Sequence, residues 1–135
     1  MNSYELPRMK IAALCLGAIS FVVAHVLNVS ILAFVYGDFS SEVSPVFDVI
    51  FEYSFWLVFV VPGIVAAGFA KERRLLHGFV VGSIAGALSV LFVLFNTPPG
   101  ESINVFSAVR IIALAVGLST VGGAIVGVFE YGMRR

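Results

Sequence analysis

Four long apolar runs, separated by three short polar connections, constrain this chain more than any other feature of it. They cover about Ile11–Tyr36, Val46–Ala70, Gly78–Phe95 and Ile103–Tyr131. A hydrocarbon core of about 30 Å takes roughly 17–25 helical residues, so each run is long enough to cross one. Lipid offers backbone groups no water, and the runs are therefore predicted as helices despite their many β-branched residues. Composition points the same way. The chain is 60% hydrophobic and 12% charged, where a soluble domain carries about 25% charged residues. A soluble or disordered chain is excluded. Eight Lys+Arg balance eight Asp+Glu, so no nucleic-acid partner is expected. The fold class that follows is all-α: a polytopic membrane protein, an antiparallel bundle of four transmembrane helices. It is read as one transmembrane domain over residues 1–135, with the lipid bilayer as its surroundings.

The connections differ in chemistry. Gly37–Pro45 is acidic, Lys71–His77 is basic, and Asn96–Glu101 is a Pro/Gly turn with one acid. Lys and Arg mark the cytoplasmic side of a membrane protein. Arg8, Lys10, Lys71, Arg73, Arg74, Arg134 and Arg135 all fall on one side, leaving only Arg110 elsewhere. Both termini are thus expected in the cytoplasm, in the cytoplasmic membrane of a bacterium or archaeon. Such a bias also argues against insertion in two orientations. No cleavable signal is expected, because the apolar segment before Cys15 is too short for one. Cys15 is the only cysteine, so no internal disulfide can form.

Between helices in lipid there is no hydrophobic drive, and close approach depends on small residues. Gly78, Gly82 and Gly86 form two GxxxG steps in register on the third span. Ala113, Gly117, Thr120, Ala124 and Gly127 alternate steps of four and three on the fourth, a spacing that lines one helix face. The spacing predicts that these stripes face each other in a tight hairpin; a homodimer seam or a pathway lining is the alternative. Pro62-Gly63 stands inside the second span, where proline removes a backbone donor and predicts a kink.

Ionisable residues inside a span carry a cost of about 2.5–3.5 kcal/mol and invite a functional reading. Glu52 and Arg110 both lie roughly 10 Å below the outer surface, by counting about 1.5 Å per residue. Arg110 also continues the small stripe of the fourth span, which predicts that it faces the interior. An ion pair between Glu52 and Arg110 is expected, with Asp48 one turn away as a second acceptor. It is a structural lock or a site for a headgroup, an anion or a proton; the remaining alternative is that Arg110 snorkels to the outer surface. His25 lies mid-span with Asn28 close to one turn on, either hydrogen-bonded to a neighbouring helix or part of a relay. His77 sits at the basic end, about 22 Å from His25 along the helix axis, so the two cannot clamp one haem.

Two histidines and one cysteine at different depths form no metal site, and no phosphate loop or nucleophile-with-base arrangement is present. No catalysis, metal or cofactor is expected. The reading that remains is a non-catalytic accessory, assembly or modulatory subunit of a membrane complex, with a membrane-protein partner or self-association. The alternatives are a small homo-oligomeric transporter or channel using Glu52, Arg110 and His25, or a lipid- or quinone-binding membrane protein.

Overall fold

The structure is a computed structural model; it describes residues 10–38, 45–70, 72–102 and 104–133, and within them the side chains of all but 35–38, 45–48 and 50–52. Four helices follow one another: α1 (Ile11–Asp38), α2 (Pro45–Ala70), α3 (Arg74–Asn96) and α4 (Val105–Met133). Each is long and apolar enough to cross a membrane. With 23 to 29 residues, they run for about 35–43 Å at about 1.5 Å per residue, enough to span a core of about 30 Å with tilt or an overhang. The protein is a small multi-pass membrane protein with an antiparallel bundle. α3 starts at Arg74, four residues before its apolar run, because an arginine stem extends a helix into the interface, while α4 starts two residues inside its run and ends two beyond it, at Met133.

The helices form a ring in the order α1–α2–α4–α3, with α2 and α3 also in contact across it. α3 lies most extensively against α4, and α2 against α1 and α4, while α1 and α4 do not touch among the described residues. α2 touches all three other helices, as α3 does. Phe59, Val81, Ala66, Ala67, Ala85 and Ala115 are fully covered apolar residues, most of them small. Outward faces carry Val, Ile, Leu and Phe, as lipid contact requires.

Close approach is made by glycine. A Cβ at Gly78 would stand 2.7 Å from the Ser119 carbonyl oxygen, one at Gly82 2.8 Å from that of Ala115, and one at Gly86 2.9 Å from the Ile112 Cα. The α3 glycines therefore lie directly on the α4 backbone. Gly63 of α2 meets the same place from the other side, where a Cβ would fall on the Ser119 carbonyl. Gly17 of α1 brings that helix onto α2, with Pro62 O and Ala66 Cβ both 3.0 Å from a Cβ built there. Pro62 is fully buried at this crossing. Ser119, wholly covered, is the point on which α2, α3 and α4 converge.

The α4 face in contact is not the one the 113–127 spacing predicts. Ala115, Ser119, Gly122 and Gly123 are buried, whereas Ala113 and Gly117 are exposed. A Cβ at Gly117 or at Gly127 would meet nothing within 4 Å. Thr120 and Ala124 are half-buried, at the border of the contact. Two residues of shift turn a helix by about 200°, so the predicted stripe points largely away from α3. The reason is that α4 is small-sided on both faces, and both are apolar. In water a polar face would break that tie; in lipid nothing in the helix itself does.

Hydroxyls within the spans are mostly turned back on their own helices. Ser20 donates to the Gly17 carbonyl at 2.7 Å, Ser89 to Ala85 at 2.9 Å and Thr120 to Val116 at 2.7 Å. This satisfies a polar group without a partner helix, as the absence of water in lipid demands.

Candidate functional site

Polar side chains collect in two places: inside the bundle between α1 and α2, and at the basic end where α3 starts and α4 finishes. The interior group is built on α1. Asn28 is buried, and its Oδ1 accepts a hydrogen bond from the Ser54 hydroxyl of α2 at 3.1 Å. One turn away, the His25 ring stacks on Phe21 with centroids 5.7 Å apart and meets the edge of Phe92 at 4.9 Å. Neither His25 nitrogen, nor the Asn28 amide nitrogen, has a hydrogen-bond partner among the described residues. The hydrogen bond to a neighbouring helix expected of His25 is not made among the described residues; His25 is held by aromatic packing, and Asn28 makes such a bond instead. His25 packs against Phe92 near the far end of α3, and His77 against the start of α1, so the two histidines lie at different levels.

Arg110 is exposed rather than interior, following the outward turn of its stripe. It lines a cleft of about 240 Å³ between α2 and α4 with Phe55, Trp56, Phe59 and Leu114. The side chains of Glu52 and Asp48, its expected partners, lie outside the described residues. Among the described residues no group of three His, Cys, Asp or Glu stands close enough together to hold a metal ion.

The basic end holds the more elaborate arrangement. Arg74, at the first position of α3, pairs with Glu130 of α4 and donates to the Val126 carbonyl at 3.5 Å. The Arg74 side chain is only 15% exposed and that of Glu130 33%, so the pair bridges two helices partly out of water. Arg134, at i,i+4 from Glu130 in the sequence, lies outside the described residues. The sequence signal for the Arg74–Glu130 pair is depth: Arg74 opens α3 and Glu130 nears the end of α4, and antiparallel neighbours bring such positions level. Two grooves flank Arg74, one of about 600 Å³ towards Arg73, Gly127 and Tyr131, the other of about 510 Å³ towards Ile64, Gly68 and Phe129.

His77 organises this end. Its Nε2 accepts the backbone N–H of Lys10 at 3.2 Å, and its Nδ1 lies 3.1 Å from the Arg73 carbonyl. An acceptor at Nε2 and a carbonyl at Nδ1 specify the neutral ring carrying its proton on Nδ1. The buried imidazole thus ties the entrance of α1 to the residue before α3. Arg73 itself adopts a left-handed conformation with φ 47°, uncommon for a residue with a side chain. Sequence reasoning missed this role because the partners of His77 are backbone groups, which leave no residue signature. His77→Phe keeps the ring and removes both bonds. It should lower stability by about 1–3 kcal/mol, since the Lys10 N–H and the Arg73 carbonyl lose their partner. Faster hydrogen exchange of the Lys10 amide would report the loss; unchanged exchange would contradict the tie.

With that geometry in place, comparison adds nothing further to it. The chain matches no protein-family model, no curated protein and no solved structure. What the site can do has to be argued from its own chemistry.

Proposed function

We propose that this protein is a non-catalytic accessory or assembly subunit of a larger membrane complex. The observation that carries the reading is the outward face of α4. Ala113 and Gly117 leave a shallow strip on which nothing rests among the described residues, while the opposite small face of the same helix is buried. Small residues let transmembrane helices approach to backbone contact. Such a strip fits a transmembrane helix of another protein with small residues of its own. The clustering of basic residues at one end supports a cytoplasmic placement of both termini. A chain whose described residues are nearly all in spans and tight turns is also suited to shaping a neighbour rather than to holding a substrate.

The test is native mass spectrometry of the protein extracted in mild detergent from its own membrane, alongside Gly117→Leu. A stoichiometric second protein should accompany the native chain and be lost, by about tenfold or more, from the variant. Gly117→Leu should leave this chain's own stability within about 0.5 kcal/mol, because no neighbour occupies that space. A homo-oligomer unaffected by the substitution would overturn the reading in favour of a small transporter. His25, Asn28 and Ser54 would then be its first residues to test by flux.

A further inference from the structure

The groove of about 600 Å³ at the basic end has a property the accessory reading neither uses nor needs. Its floor is glycine and its walls are apolar: Gly123 and Gly127 of α4 form the base, with Val128 beside them. Arg73, Arg74 and Tyr131 close it at the end of the helices. The size falls within the range of about 300–1,000 Å³ common to clefts that hold a small molecule. The two cations are not equivalent. Arg74 is engaged with Glu130 and the Val126 carbonyl. Arg73 has no ion-pair partner among the described residues, and its left-handed backbone is held by the bond from its carbonyl to His77. A cation is therefore placed at the mouth of an apolar trough, at the level where a transmembrane helix leaves the hydrocarbon.

We propose that this groove binds one anionic phospholipid, its phosphate at Arg73 and an acyl chain along Gly123–Gly127. Charge complementarity selects the occupant. A guanidinium pairs well with a phosphate oxygen pair, and basic pockets between transmembrane helices attract anionic headgroups. A free phosphate would satisfy Arg73 but leave the apolar trough empty, whereas a lipid fills both. The glycines explain why the trough exists. Gly127 has nothing within 4 Å of where its Cβ would be, and a Cβ at Gly123 would stand 2.8 Å from the Arg74 carbonyl oxygen. Gly123 thus serves the α3–α4 approach, while Gly127 only leaves space.

The experiment is native mass spectrometry of the full chain in detergent micelles. Equal amounts of palmitoyl-oleoyl phosphatidylglycerol and the matching phosphatidylcholine are added. The native protein should retain the anionic lipid about fivefold over the zwitterionic one, because both carry a phosphate but phosphatidylcholine offsets it with a choline cation that Arg73 repels. Arg73→Gln keeps the carbonyl that His77 uses and should abolish that preference, while Arg73→Lys keeps the charge and should keep most of it. Gly127→Leu fills the trough and should lower retention of both lipids. Equal retention by the native protein would overturn the proposal, as would a preference that survives Arg73→Gln. Displacement of the lipid by glycerol phosphate at equal concentration would also overturn it, showing a small-anion site. So would a dimer, in place of a lipid adduct, that Gly127→Leu disperses. Far-UV circular dichroism of each variant separates a lost site from a lost fold.

Discussion

Gly63→Val should unfold the bundle or cost it at least about 3 kcal/mol, the largest effect expected of any single substitution here. The added Cβ would fall on the Ser119 carbonyl, with Ser119 C and Cα on the same line of approach. These are backbone atoms in the middle of α4, a helix that α3 holds from the far side through Gly78 and Gly82. α2 cannot retreat freely either, because Gly17 of α1 lies close on the adjoining Pro62. Relief therefore requires one helix to move away from the other along the whole contact, which opens the most tightly packed part of the protein. Valine at Gly117 makes an identical chemical change on the same kind of surface without meeting a neighbour. Its cost should stay within about 0.5 kcal/mol. Unfolding of both variants in mixed micelles with increasing sodium dodecyl sulfate, followed by circular dichroism, measures the difference. Similar midpoints for the two would mean that α2 and α4 do not approach to backbone contact at this point.

The Arg74–Glu130 pair should show the second largest effect, with a sign that depends on how it is broken. Glu130→Ala leaves a guanidinium that is 15% exposed without its counter-charge, and stability should fall by about 2–3 kcal/mol. Arg74→Ala should cost less in charge terms, because Glu130 is 33% exposed and can turn to water. It also loses the contact to the Val126 carbonyl. The double variant should be more stable than Glu130→Ala alone, since no charge is then stranded. A double-mutant cycle reads this as a coupling energy of about 1–3 kcal/mol. Coupling near zero would reduce the pair to a solvated surface contact of the kind that contributes little.

Some features of this fold belong to single segments and others to pairs of helices. The existence, order and approximate ends of the helices were legible, because a membrane span is a property of a single segment. Length, hydropathy and the missing water of the bilayer decide it without reference to any neighbour. Gly78, Gly82 and Gly86 were legible as a set for a related reason: only one face of α3 has the bare backbone that such proximity needs. The polar residues were legible as residues but not as partners. Asn28 was singled out, yet its bond to Ser54 depends on the rotation of α2 relative to α1. Glu130 was not read with Arg74, since a neighbour across a helix pair leaves no mark in the local sequence.

What the sequence alone determined is therefore the environment: four apolar helices, their order, and a bundle that crosses a bilayer. What only the tertiary structure decided is the rotation of each helix about its own axis. α4 shows this most clearly, with Ala113–Gly117 on one side and Ala115–Ser119–Gly122 on the other, both small and both apolar. A soluble helix announces its inner face by hydrophobicity, but lipid is as apolar as a protein core and removes that distinction. Shape chose instead. The glycines of α2 and α3 converge on the α4 backbone around Ser119, and once that contact is made the second stripe, Arg110 above it and the groove beside Arg73 face outward as a consequence.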